Sequence, residues 1–253
     1  MFVKLQFGEC KMLRSIISYF DKLKNSKFQL SQNVSTAILF SFLCDKMWGV
    51  FRGLRLVFHF KNPKLLMLGK NVTLRGIKFL KLGQSIQIGN NVTIIAYGNE
   101  GLSIGNYVWI GAHSSIKVSF SFNDFGDHIT IGNNVGIGEY AHLGGAGGLT
   151  IGDDCIIGPY FSCHPENHNF YSEDALIRLQ GVNRKGINIG KNCWIGAKVT
   201  ILDGVSIGEN CIIAAGAVVT KSMPSNAVLG GLPARVIQFR SAYTMNQNFK
   251  ESA

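Results

Sequence analysis

Two of the six histidines stand four residues apart in Cys163-His164-Pro165-Glu166-Asn167-His168-Asn169, with a carboxylate between them. Imidazole is the side chain whose ordinary protonation range lies nearest neutrality, so a histidine within reach of a hydroxyl can take its proton as the oxygen attacks an electrophile. Glu166 is placed to orient His168, as carboxylates do in many base assemblies. The thiol of Cys163 beside His164 would suit a ping-pong route, but direct attack between two bound substrates needs no protein nucleophile. Arg178, Arg184 and Lys185 follow in the same polar stretch and suit an acidic or phosphorylated acceptor, or simply solvent. A third histidine, His142, closes the earlier segment I-G-E-Y-A-H.

These residues interrupt a regular scaffold. From Ile189 to Pro224 the chain reads I-G-K-N-C-W, I-G-A-K-V-T, I-L-D-G-V-S, I-G-E-N-C-I, I-A-A-G-A-V and V-T-K-S-M-P without a break. Each hexad starts on a branched aliphatic, continues with Gly or Ala, and has a small or β-branched fifth residue among polar ones. That pattern describes one short strand and one turn. A single hexad cannot bury enough apolar surface to offset its chain entropy, whereas stacked coils bury the first residues in a continuous column. The rhythm extends upstream to Leu68, with breaks after Ile94, Ile116 and Leu143 and a long one between Ser162 and Ile189. A polar loop ejected from a rigid repeat is a typical place for function.

At this point the chain resembles the hexapeptide-repeat acyltransferases, over about Leu68 to Gln238. The resemblance implies an all-β, left-handed parallel β-helix with three hexads per coil, assembled as a homotrimer with sites between subunits. Within that superfamily it is similar to the sugar O-acetyltransferases of the maltose, galactoside and colanic-acid type, which take acetyl from acetyl-CoA and use a loop histidine as general base. His168 stands nine residues after the Pro of I-G-P, the family's spacing, and is the first choice for the base; His164 is the second. His142 and Arg178 are then expected to meet the acceptor. For acetyl-CoA, Trp194 would line the acetyl end, Ala197 and Ala215 the pantetheine arm, and Thr220, Lys221 and Arg235 the adenine and phosphates. Where some relatives carry a second basic residue three places beyond Arg235, this chain has Gln238. The likeness of the E-N-H-N-F loop and of the basic N-terminus to colanic-acid-type enzymes implies a role in surface polysaccharide biosynthesis.

The domain reading is a basic helical segment over 1–65, the repeat domain over 66–238 with an external loop at about 163–187, and a tail over 239–253. Residues 1–70 hold twelve Lys or Arg against three acids, nearly the whole net charge of +10. Phe40, Leu43, Cys44, Met47, Phe51, Leu54 and Phe58 recur at helical spacing opposite Ser41, Asp45, Arg52, Arg55 and His59, which predicts an amphipathic helix. Such a helix covers the open end of the column, packs between subunits, or rests through residues 36–60 on the inner membrane surface. The run without charge from Phe28 to Cys44 is too polar for a membrane span. The basic residues form no nucleic-acid reading motif. Without a C-x-x-C or a signal-peptide pattern, the cysteines read as small core residues in a reducing, cytoplasmic setting, and no metal is expected. Three readings stay beside sugar O-acetylation: N-acetylation of an amino sugar, a zinc hydratase of the γ-carbonic-anhydrase type using His142, His164 and His168, and a non-catalytic trimeric scaffold.

Overall fold

The computed structural model describes residues 34–59, 61–62, 64–119, 121 and 125–240. The expected basic segment before residue 34 and the tail beyond residue 240 lie outside the described residues. From Met67 onward the chain winds through three sheets of nine, seven and six strands, visiting each in turn. Neighbouring strands are parallel and in register from coil to coil: Gly136 pairs with Ile156, Ile156 with Trp194, and Trp194 with Ile212. One coil therefore consumes three hexads, plus whatever is inserted at a corner.

The hexad positions map onto this winding directly. First residues such as Ile88, Ile110, Ile137, Ile157, Ile195 and Ile213 fill the interior, as do the fifth residues Val92, Ala141, Phe161 and Val199. Cys155, Cys193 and Cys211 also occupy fifth places and are buried. Their thiols donate to carbonyls of Gly190, Gly208 and Pro224, each in the following coil or its closing turn. The fourth residues turn the corners with positive φ, as at Asn91, Tyr107, Asn134, Tyr160 and Asn210. Asn tolerates this left-handed conformation, but Tyr does so only where the coil overrides local preference. Glycine at the second place is required by proximity: a Cβ on Gly89 would lie 2.5 Å from the Ala112 amide nitrogen of the next coil.

The first coil has an edge with no coil beyond it. Its Met67, Gly69 and Thr73 amides donate to the second coil, so the Leu68 and Val72 carbonyls face the other way. Helix α1 (Thr36–Gly53), capped by the Ser35 side chain at Ile38 N, lies over that edge. Arg52 Nε donates to Leu68 O at 2.7 Å and Arg55 to Val72 O at 2.8 Å, while Lys46 donates to Gln87. Gly49 and Gly53 let the helix approach, since a Cβ on Gly53 would sit 2.1 Å from Leu66 O. Covering a free edge in this way prevents strand addition. A helix forms in the expected stretch, but the apolar side chains named for it do not turn toward the protein: Phe40, Met47, Phe51, Leu54 and Phe58 are exposed, and Leu39 and Leu56 are buried. Hydrogen bonding to orphan carbonyls draws the arginines inward.

At the other end, Ala227–Gly231 pairs antiparallel with Ala234–Phe239, closing the winding with a hairpin. The expected boundary at 238 falls within this last strand.

Candidate functional site

The seven-stranded sheet carries the histidines. His142 opens the strand His142–Gly144 and pairs with Ser162 of Ser162–His164; two residues further along these strands, Gly144 pairs with Lys117 and His164 with Leu202. Outward side chains on adjacent coils are close enough to touch. The His142 and His164 rings stack with centroids 5.5 Å apart and planes 28° apart. They line a cavity of about 250 Å³ with Gly144, Ala146, Cys163, Pro165 and Glu166. Burial lowers the His142 pKa from its ordinary value of 6.5, and the nearby His164 and Lys117 lower it further. His142 is thereby favoured as the neutral imidazole at neutral pH.

The loop leaves this sheet at His164 and rejoins the winding in the six-stranded sheet at Ile187–Ile189. Its outgoing and returning arms pair antiparallel, Asn167 with Asn183 and His168 with Val182. Asp203 anchors the base: Oδ1 accepts from the Lys185 and Gly186 amides at 2.9 Å, and Oδ2 from Asn167 at 3.4 Å. Gln180 fastens the tip by donating to the Ser172 and Ala175 carbonyls while accepting from the Ser172 amide. Glu166 is half-buried and accepts from Arg184 through Nε at 2.8 Å and through a terminal nitrogen at 2.7 Å. Both contacts fall on the one oxygen Oε2, a charge-assisted pairing.

The structure brings His142, His164 and Glu166 together at one cavity. It places His168 elsewhere, exposed on the hairpin, and Glu166 engages Arg184 in place of it. Arg178 is exposed in the short turn Ile177–Leu179. Among the described residues no three His, Cys, Asp or Glu side chains are grouped so as to hold a metal ion, so the zinc reading finds no ligand set. Cys163 is fully buried, and desolvation raises its thiol pKa strongly, which suppresses the thiolate needed for a ping-pong route. Lys117, Asp203 and the pairing of Arg184 with Glu166 escaped sequence reasoning. Asp203 lies in the hexad I-L-D-G-V-S, and nothing local links it to a loop 18 residues earlier.

The residues expected to hold acetyl-CoA form a second set on other surfaces of the winding. Trp194 is 57% exposed on the nine-stranded sheet, between Ile156 and Ile212. Ala197 and Ala215 lie at the corner after that sheet in consecutive coils; the Gly216 amide donates to Ala197 O. A Cβ on Gly196 would lie 2.6 Å from the Ala215 amide nitrogen, so the corner is built from small residues. Thr220 and Lys221 are exposed after Val218–Val219, and Arg235 is exposed on the closing hairpin opposite Gly230.

A three-sheet winding of hexads with paired histidines beside an ejected loop defines a hexapeptide-repeat protein. The bacterial transferase hexapeptide model, of six repeats, matches residues 186–221. The chain is 34% identical over 140 residues to the galactoside O-acetyltransferase of Escherichia coli, covering 54% of this chain and 63% of that protein. It is 30% identical over 117 residues to WbbJ of the same organism, assigned to lipopolysaccharide biosynthesis as an O-acetyl transferase, covering 44% of this chain and 60% of that one. A crystal structure of a point mutant of AntD, an N-acyltransferase from Bacillus cereus in complex with dTDP and coenzyme A, superposes with a TM-score of 0.53 at 22% identity, covering 73% of this chain and 94% of that one. This last likeness is one of fold. The chain spans about three fifths of the length of the curated relatives it matches.

Proposed function

We propose that this protein is an acetyl-CoA-dependent O-acetyltransferase acting on a sugar hydroxyl in surface polysaccharide biosynthesis. The observation that carries the reading is the stacked His142 and His164 pair at a cavity whose wall is the start of the ejected loop. Similarity to two relatives named as O-acetyl transferases supports oxygen as the acceptor atom, and the name of WbbJ supports the polysaccharide setting. We take the winding as left-handed, the assembly as a cytoplasmic homotrimer, and acetyl-CoA as bound along Trp194, Ala197, Ala215, Thr220, Lys221 and Arg235. Because the histidine set and this set lie on different surfaces of one chain, a neighbouring subunit would bring the acetyl end of one to the histidines of another.

The cavity favours His164 over His168 as base. A ring nitrogen of His164 takes the hydroxyl proton while that oxygen attacks the thioester carbon. The tetrahedral intermediate then expels the coenzyme A thiolate, which recovers the proton from the imidazolium. His142, held neutral by burial, adds no positive charge to oppose that transient imidazolium. A positioned base of this kind contributes roughly 10²–10⁴-fold.

The test is thiol release from acetyl-CoA with free, nucleotide-linked and lipid-linked sugars. His164→Ala is expected to lose on the order of 10²–10⁴-fold in kcat with acetyl-CoA binding retained, and His168→Ala to stay within a few fold of the native chain. The reverse ranking would return the role to His168. Absence of turnover with every acceptor, together with absence of coenzyme binding, would leave the scaffold reading.

A further inference from the structure

The outward face of α1 and the short 3₁₀ turn after it, Leu54–His59, is a feature that acyl transfer does not use. Met47 is 71% exposed, Phe51 66% and Phe58 86%, and Trp48 and Leu54 lie exposed beside them, with Trp48 and Phe51 in edge contact at 5.9 Å. Side chains at 47 and 51 share one face of the helix, and Leu54, Val57 and Phe58 stand exposed on the 3₁₀ turn that continues it. A monomeric surface rarely leaves so many large apolar side chains contiguous and in water. This exposed face is also not a by-product of poor patterning, because the inward side is occupied in its own right by Arg52, Arg55 and two glycines fitted to the coil edge.

Charge decides what such a face meets. Between Val34 and Lys81 the chain has nine Lys or Arg and a single acid, Asp45. Lys46, Arg52 and Arg55 point inward and donate to the first two coils. Lys64, Lys70, Arg75, Lys78 and Lys81 are exposed on the first coil and its approach, at the end of the winding that α1 covers. Two copies brought together by this end would set like charges against one another, which disfavours self-association there. An apolar face flanked by cations matches the two layers of an anionic bilayer surface, acyl chains below and negative headgroups above. Among the described residues no helix is long and apolar enough to cross a membrane, so the contact is with the surface.

We infer that this protein docks end-on to anionic lipid bilayers, with Met47, Trp48, Phe51, Leu54 and Phe58 seated at the acyl boundary and the first-coil cations on the headgroups. The inference stands independently of the acyl-transfer reading. It gives the inner membrane contact a defined geometry: the axis of the winding stands away from the lipid, and the histidine cavity lies further along it.

The experiment is co-sedimentation of the full chain with phosphatidylcholine vesicles, with and without phosphatidylglycerol. Binding is expected only with the anionic lipid, weakening as salt rises. Trp48→Ser with Phe51→Ser should lower partitioning by about tenfold or more, and Lys64→Glu with Lys70→Glu by roughly fivefold for each cation. These side chains are exposed, so the strand signal in circular dichroism should be unchanged; Phe58→Ser serves as a further variant if the double apolar one folds poorly. Failure of the native chain to sediment with anionic vesicles would overturn the proposal. So would variants that bind like the native chain, or an apolar variant that instead dissociates an oligomer in lipid-free buffer and keeps its vesicle binding, which would mark the face as a protein interface.

Discussion

His142 couples the site to pH at the scale of one residue. Burial, then His164 and then Lys117, lowers its folded-state pKa below the ordinary 6.5. Between the folded and unfolded values the unfolded chain binds more protons, so this contribution to stability is fully present above about 6.5 and is lost as pH falls through the window beneath it. His142→Gln removes the titrating group while keeping a polar side chain of similar reach. Melting temperatures across mildly acidic pH should therefore fall less steeply for the variant than for the native chain; equal slopes would show that His142 does not carry the dependence. Cys163, which lines the same cavity, is held as a thiol by burial, and Cys163→Ser should accordingly retain a working active site if it folds. Retained acetyl transfer in that variant is the expected outcome of the coupled thiol assay.

At the scale of elements, the loop owes its position to contacts that are distant in sequence. Asp203 Oδ1 holds the Lys185 and Gly186 amides, and the next coil's Leu202 pairs with His164, so one turn fixes both the loop's return and the strand that presents the histidine. Asp203→Ala should loosen the loop without disturbing the buried column. Faster tryptic cleavage at Arg178, Arg184 and Lys185, with the repeat domain left intact, is the result limited proteolysis should give; unchanged cleavage would mean that Gln180 and the Glu166 to Arg184 pair suffice. The contrast with the repeats explains what was legible in the sequence. First- and fifth-place residues such as Ile195 and Cys193 could be assigned to the interior because the period itself encodes facing. The hairpin that carries His168 away from the cavity has no period, and its partner strand Val182–Asn183 lies across a polar loop. Helix α1 was legible as a helix, but its orientation depended on two carbonyls, Leu68 O and Val72 O, whose lack of a neighbouring coil is a property of the first coil's place in the fold.

For the whole molecule, stability accumulates coil by coil, and the ladders that join coils also limit how far each can relax. Phe161 shows the consequence. It occupies a fifth place, fully buried, in a column where the preceding coil supplies Ala141 and the following one Val199. The His142 amide donates to Phe161 O at 2.8 Å and the Ser162 amide to Val199 O at 3.0 Å, which pins the backbone on both sides. The ring lies beside a small Ala, whose own upstream neighbour in the column is the small Ser114, so a bulky side chain is accommodated where the coils around it carry little volume. Phe161→Ala removes the ring next to an alanine that cannot replace it, and the coils cannot close because their spacing is set by hydrogen bonds. The loss should therefore approach the upper part of the ~3–5 kcal/mol range for buried Phe truncation, seen as a lower denaturant midpoint. Ala141→Val in that background, adding volume from the coil above, should recover part of the loss, whereas the same substitution in the native chain should destabilise by overpacking. Opposite signs in the two backgrounds would establish that neighbouring coils share one packing volume; the same sign in both would show that each coil packs alone.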